Sequence, residues 1–529
     1  MKAKILGLLA LTLVFAVAAT GCAPAGGGDI LVYGRGADSV SLDPINVTDG
    51  ESLKVTQQIY DTLVEYKPDS TEVEPALATE WSTSPDGLVW TFKLREGVNF
   101  HDGTPFNAEA VKFNFDRWMF TDNPHRYDGE FAYYAYMFGG FDDKSVIESV
   151  EVVDEYTVRF TLREPLAPFL QNLAMTPFGI ASPEAIKEFG PDFGQNPVGT
   201  GPFKFVDWVK DDKIVLEANK DYWEGEPALD QIIFRSIPDN SARFMELQAG
   251  NIDIMDGLNP PDVKIVEEDE NLQLFLRPPM NVGYLAMNMD VEPFDNLLVR
   301  QAINHAINKE ALIENFYAGL AQPAVNPMPP SIWGFNYSVK PYEYDPERAK
   351  ELLAEAGFPN GFKTELWAMP IPRPYMPQPR KIAEAIQADL AKIGIEAEIV
   401  SFDWGAYLQK VENGEHPMAL LGWIGDNGDP DNFLYVLLDK DNAVKGSAGN
   451  IAFYRSDKVH ELLIKAQRTF DKAERTRLYE EAQVIIHRDA PWVPLVYAQQ
   501  PIAAKASIRG YIPHATGSEK LNTVYLETE

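Results

Sequence analysis

A single cysteine, Cys22, in a chain of 529 residues denies it any intramolecular disulfide, so the fold must stand on packed cores alone. That length exceeds what one core can organise, and two or three domains are expected. With 45% hydrophobic and 12% aromatic residues the chain can fill several interiors, and disorder is not expected as its global state. A formal net charge of -33 argues against nucleic acid and against anionic membrane surfaces as partners. The same charge favours solubility and adds a weak attraction for cationic ligands.

The segment around that cysteine reads as an export signal. Lys2 and Lys4 precede the apolar run from Ile5 to Ala19, and Ala-Thr-Gly-Cys ends at Cys22. A charged start, a short apolar stretch and small residues before a cleavage point assign residues 1–21 to a secretory signal. The run is too short to span a bilayer comfortably. Cys22 resembles the lipobox cysteine of bacterial lipoproteins, with Ala19 where leucine is more usual. That resemblance implies a lipid on Cys22, which becomes the first residue of the mature chain. Residues 23–28 (APAGGG) read as a flexible tether, so membrane contact is expected through the lipid only.

Downstream, the first third of the chain is rich in strand signals. Val89 to Phe100 puts Trp90, Phe92 and Leu94 on one face and Thr91, Lys93 and Arg95 on the other. Val150 to Leu162 reads as two short strands around Asp154-Glu155, with further strands at 214–217 and 231–237. Ser241 to Gly250 reads as a short helix closed by its glycine. After about residue 283 the texture changes. Helical spacing runs across 296–317, and Asp345-Pro346 opens a helix that Gly357 closes. Strand and helix then alternate through TELWAMP, RKIAEAIQADLAKIG, IEAEIVSF, WGAYLQKVENG, MALLGWIG and DNFLYVLLD. Such alternation predicts βα units on a sheet with some parallel strands. Long helices are expected at 457–470 and 472–487, and WVPLVYAQQ (Trp492 to Gln500) as a returning strand.

The loop that leaves MALLGWIG carries Asp426, Asp429 and Asp431 and no cation. It follows the carboxyl end of a strand, where open α/β sheets bind ligands. So does Arg373 in MPIPRPYMP, a stretch held extended by its prolines. The aspartate and the arginine either share a crevice with a ligand between them or pair with each other, and the residues alone leave both open. A metal does not fit the loop. Counted from Asp426, Gly428 and Pro430 fall on ligand positions of a calcium loop, and Leu437 stands where glutamate is needed. The seven histidines are scattered without paired spacing, so no metal is expected. There is no Gly-x-Ser-x-Gly elbow and no Walker A loop, and GRGAD at Gly34 to Asp38 is only a degenerate Gly-x-Gly. Neither enzyme activity nor a cofactor is expected.

Several long blocks carry a resemblance. EPALATEWSTSPDGLVWTFKLREGVNFHDGTPFNAEAVKFNFDR (Glu74 to Arg117) closely resembles the signature region of family 5 extracellular solute-binding proteins of ABC importers. NPVGTGPFKF (Asn196 to Phe205), ANKDYWEGEPALD (Ala218 to Asp230), Asn281 to Leu312 and YEYDPERAKELLAEAG (Tyr342 to Gly357) match as well. The stretch from LWAMPIPRPYMPQPRKIAEAIQADLAKIG to GWIGDNGDPDNF is most similar to the dipeptide-binding branch. This resemblance implies an α/β, two-lobed periplasmic-binding-protein-like fold of type II, in the three-domain cluster, with the ligand cleft between lobes. A core domain of lobe 1 is expected from 29–70, 196–282 and 501–529, with 71–195 inserted into it. Lobe 2 is expected from 283–500.

The resemblance also implies roles. Asp426 falls on the residue that holds a peptide ammonium and Arg373 on the one that holds its carboxylate. Tyr375 and Trp404 fall on aromatic positions around the ligand, and Thr48, Asp49 and Gly50 in a first-lobe loop that contacts peptide backbone. Asp49 departs from the small hydroxyl expected there, and DKDNAVKGSAG, after the acidic loop, departs where relatives often place a disulfide. A dipeptide zwitterion offers one cation and one anion within roughly 7 Å, which suits one aspartate and one planar guanidinium. Asp429, Asp431 and Asn432 read instead as turn-forming and helix-capping. The expected protein is a monomeric receptor for dipeptides or short peptides, delivering them to permease and ATPase subunits. Oligopeptides, glutathione, haem or a nickel chelate are alternative ligands, and a peptide hydrolase or a peptide chaperone is the alternative class.

Overall fold

The computed structural model describes residues 29–127, 129–517 and 519–527. The signal segment 1–21, Cys22 and the tether to Gly28 lie outside the described residues. Among the described residues no helix is long and apolar enough to cross a membrane.

Among the described residues, the three larger of five sheets organise the molecule, and the α/β two-lobed fold is the one expected. The first lobe is built on seven strands, in spatial order Leu272–Arg277, Gln500–Lys505, Ile254–Met255, Ile30–Arg35, Gln231–Ser236, Lys213–Ala218 and Phe203–Val209. Ile30–Arg35 pairs parallel with both neighbours, while the outer pairs are antiparallel. The second lobe has six strands, ordered Ala321–Pro323, Trp492–Ala498, Asn281–Met287, Met418–Ile424, Lys363–Trp367 and Glu396–Val400. Every residue of Asn281–Met287 is buried, as a central strand covered on both faces should be. Lys363–Trp367 runs parallel to Glu396–Val400 and to Met418–Ile424, with helix Pro379–Lys392 in the crossover. These are the βα units that the alternating pattern predicts.

The third sheet is antiparallel, ordered Ala78–Thr83, Val89–Leu94, Thr157–Leu162 and Ile147–Asp154, and lies within the segment expected as an insertion. Trp90, Phe92 and Leu94 are buried on its inner face, where Phe92 meets Phe160 edge-on at 5.5 Å. The period-2 pattern of the sequence is therefore the packing pattern.

Three expectations need correction. Helical spacing over 296–317 resolves into two helices, Leu297–Ala306 and Lys309–Phe316. They break because Asn308 turns its side chain to cap the second, accepting from Ala311 N at 3.0 Å. The expected strand 492–500 also divides. It ends at Ala498 on the six-stranded sheet and resumes at Gln500 on the seven-stranded one. Gln499 is thus one of two crossings between lobes, and residues 278–280 are the other. Asn281 and Val282, expected in lobe 1, pair on the lobe 2 sheet, and Gln500 pairs on the lobe 1 sheet, because strand pairing decides membership.

Side chains tie the crossings together. Arg277 donates to Gln500 Oε1 at 2.9 Å and to both oxygens of Glu519 at 2.7 and 2.8 Å. On the other side Asn281 donates to Ala498 O at 2.8 Å and accepts from Ala498 N at 3.0 Å. The two short connections run side by side.

Candidate functional site

The central strand Met418–Ile424 delivers the acidic loop to the edge of its sheet, and the three aspartates meet three different fates. Asp429 is buried and paired with Arg475, whose Nη2 donates at 2.8 Å. Its Oδ1 also accepts from Asp431 N at 3.0 Å, so it shapes the turn into helix Asp431–Leu438. Asp431 opens that helix and accepts from Gln467 Nε2 at 3.1 Å. Burial, followed by the nearby charge of Asp429, pushes its carboxyl up to about 7.

Asp426 differs from both. It is half-buried and, among the described residues, takes part in no ion pair. Its Oδ2 accepts from Asn432 Nδ2 at 3.0 Å and its Oδ1 from the Tyr133 hydroxyl at 3.2 Å. Burial pushes its carboxyl up to about 6 against the pull of those two donors. Asn432 holds the carboxylate in place from the first turn of helix Asp431–Leu438. Its Oδ1 accepts from Asp426 N at 2.9 Å and from Trp423 Nε1 at 3.0 Å. A side chain that reads as a helix cap is therefore the bracket of Asp426.

Arg373 stands on the loop after the neighbouring strand Lys363–Trp367. Its backbone exchanges hydrogen bonds with Met376 at 3.0 and 2.8 Å, which closes the proline-rich stretch into a turn. The half-buried guanidinium lies 4.8 Å over the Trp404 ring, and Trp404 stacks in turn on Tyr407 at 5.9 Å and 13°. Trp404 opens helix Trp404–Glu412, so the aromatic platform is anchored on a helix. Arg373 takes part in no ion pair among the described residues. The structural salt bridge between Arg373 and Asp426, one of the two arrangements left open by the sequence, is absent.

Tyr375 is almost fully buried and forms a floor. Its ring lies where a Cβ on Gly422 would stand, 2.3 Å from Cδ2, so the strand needs glycine there. Its carbonyl accepts from the Tyr317 hydroxyl at 2.8 Å. Burial raises its phenol to about 12, opposed by the positive charge of Arg373.

Across the cleft, Thr48, Asp49 and Gly50 mark the N-terminus of helix Gly50–Ile59. Thr48 and Gly50 are exposed, and nothing stands within 4 Å of a Cβ added to Gly50. Asp49 caps the helix by accepting from Ser52 N at 2.8 Å, a task that aspartate performs as well as a small hydroxyl residue. Its negative charge reaches Tyr133, whose phenol is held well above its ordinary range chiefly by Asp426. Asp49 and Asp426 thus approach the same tyrosine from opposite lobes.

Closure seats the loop against the first lobe. Asn427 donates to Asn172 Oδ1 at 2.7 Å, and Gly428, at φ +68°, leaves room for Thr71. Farther along, Ala167 N donates to Gln467 O at 2.7 Å, and Arg468 pairs with Glu164 at 2.9 Å. Tyr133 and Asn432 were missed as site residues by sequence reasoning. The one available signal for Tyr133 was the run FAYYAYMF (Phe131 to Phe138). There Tyr134 and Phe138 point inward at helical spacing, leaving Tyr133 and Tyr136 on another face.

Residues 72–445 match the family model of bacterial extracellular solute-binding proteins, family 5 (middle region). The chain is 40% identical over 498 residues to heme-binding protein A of Haemophilus influenzae, covering 92% of this chain and 90% of that one. It is 39% identical over 510 residues to the dipeptide-binding protein of Escherichia coli, covering 94% of each. Among solved structures, an ABC transporter-associated periplasmic binding protein from Helicobacter pylori in complex with the peptide STSA superposes with a TM-score of 0.80. Its sequence identity is 45%, with 95% of this chain and 98% of that one covered.

Proposed function

Because the chain belongs to the family 5 bacterial extracellular solute-binding proteins, we propose that it captures short peptides, dipeptides above all, and hands them to an ABC permease with its ATPase subunits. The reading rests on one observation: Asp426 and Arg373 leave the same sheet as opposite charges, and neither has an ionic partner among the described residues. A zwitterion supplies the two missing partners. The peptide ammonium meets the Asp426 carboxylate, and the peptide carboxylate meets the guanidinium fork of Arg373, steadied on the Trp404 face. Tyr133 closes over the ammonium end from the first lobe. The protein binds and releases its ligand without chemical turnover. Cys22 carries the lipid that holds it at the outer face of the membrane. Cys22→Ser is expected to release it into the soluble extract, and a free Cys22 thiol on soluble wild-type protein would overturn that assignment.

Length is the direct test. Each added residue lengthens an extended peptide by up to about 3.5 Å, which two fixed charges do not follow. Ala-Ala and Ala-Phe are expected to bind tightly, Ala-Ala-Ala much more weakly and free alanine little, measured by calorimetry with glutathione and heme as competitors. Tri- and tetrapeptides that bind as well as dipeptides would refute the two-ended clamp, and the peptide STSA bound by the Helicobacter protein makes a four-residue ligand the sharpest arm.

Acidity offers a second test. With burial in this closed arrangement raising the Asp426 carboxyl to about 6, the ammonium must displace a proton at lower pH. Affinity is expected to be level above about pH 7 and to fall by up to tenfold per pH unit below about 6. Calorimetry across that range reads the slope, and Asp426→Asn removes it. An unchanged slope in the variant would assign the proton to another group.

A further inference from the structure

At the end of helix Asp431–Leu438 remote from the acidic loop, three metal-ligating side chains gather outside the peptide site. Asp439, fully buried, follows the helix and caps the short turn Lys440–Asn442, accepting from Asp441 N at 2.9 Å. His460 projects from helix Asp457–Gln467, with Nδ1 at 3.0 and 3.1 Å from the two Asp439 oxygens and 3.7 Å from Asp441 Oδ2. One donor atom from each residue lies within 4.8 Å of the others. We propose that Asp439, Asp441 and His460 form a site for one divalent cation of the zinc class, with water completing its shell.

Spacing supports this. Donors held at 2.0–2.2 Å around a tetrahedral ion stand about 3.3 Å from one another. The two distances from His460, 3.0 and 3.7 Å, bracket that value, and all three donors lie within 4.8 Å of one another. Charge supports it independently. Two carboxylates stand at the C-terminal end of a helix, where the dipole is already negative. Among the described residues no lysine or arginine pairs with either, since Lys440 turns to Asp457 at 2.5 Å and Arg455 to Asp290 at 2.6 Å. One imidazole and two carboxylates suit zinc better than calcium, which takes six to eight oxygens. Sequence spacing gave no warning, because His460 lies 21 residues from Asp439. A bound ion would cross-link the turn at 439–442 to helix Asp457–Gln467, and it would stabilise only the folded chain.

The test uses untagged protein, stripped with a chelator and titrated with Zn²⁺ alone. One ion per chain is expected by calorimetry, with a rise in melting temperature. His460→Gln and Asp441→Asn should each weaken Zn²⁺ binding at least tenfold while dipeptide affinity stays unchanged. Their side chains are 23% and 51% exposed, so neither variant threatens the fold. Failure to bind Zn²⁺ more tightly than about millimolar would leave only a His460–Asp439 hydrogen bond and overturn the proposal. Equal binding by wild type and both variants would place the ion elsewhere and overturn it equally.

Discussion

Asp426→Ala is expected to weaken dipeptide binding about thirty-fold to several-thousand-fold, the equivalent of roughly 2–5 kcal/mol for truncating one partner of a buried charge pair. The effect is large because the ammonium would lose its carboxylate, while Tyr133 and Asn432, the side chains that hold Asp426, carry no negative charge. Acetylating the peptide amine should cost the wild-type protein a similar amount, and should cost the variant far less. Asp431→Ala, which disturbs Gln467 rather than the ligand, should change affinity little. Calorimetry with free and acetylated Ala-Ala separates these cases. Equal affinity of the wild type for both peptides would exclude an ammonium-holding role for Asp426.

A comparable effect on stability, with no ligand involved, is expected at Asp429. Its carboxylate is fully buried against Arg475, whose side chain is only 6% exposed. Asp429→Ala strands that guanidinium, at an expected cost of about 3–5 kcal/mol. Replacing both members, Asp429→Ala with Arg475→Met, should recover much of the loss, because the penalty lies in the unpaired charge more than in the absent attraction. Urea unfolding monitored by tryptophan fluorescence measures the difference. A loss below about 1 kcal/mol for the single variant would mean that water reaches Arg475 when Asp429 is gone.

Neighbouring residues in one sequence can therefore serve stability and binding separately, and only part of that division is readable in advance. The alternation of strand and helix from TELWAMP to DNFLYVLLD was legible because hydrophobic period and capping residues are local properties. Asp429 and Asp431 were legible as turn and cap residues for the same reason. Asn432 was not. Local capping rules assign it to the helix, whereas its amide is turned back to Asp426 and Trp423. Tyr133 lies 293 residues from its partner Asp426, a separation that periodicity does not bridge. The same holds for the guanidinium of Arg373 over Trp404, which depends on how two loops end after two parallel strands. The crossing at Gln499 was hidden by continuity of another kind, since WVPLVYAQQ keeps its strand character across the point where it changes sheets.

That crossing has a mechanical consequence. Two connections, one and three residues long, leave the lobes side by side, and Arg277 and Asn281 stitch each to the other. A body joined by two adjacent straps swings about the line through them and resists twisting across it. Asp426 and Arg373 both stand on the same leaf of this book, so opening it leaves the distance between them unaltered. What the swing removes is the cover, the Tyr133 hydroxyl and the dry surroundings that strengthen each charge. In the proposed clamp, capture and enclosure are thus separate events, the first fixed by one leaf and the second by the spine. On the proposed reading, a transporter that pulls the leaves apart would loosen the peptide by letting water in, without having to distort the pair of charges proposed to hold it.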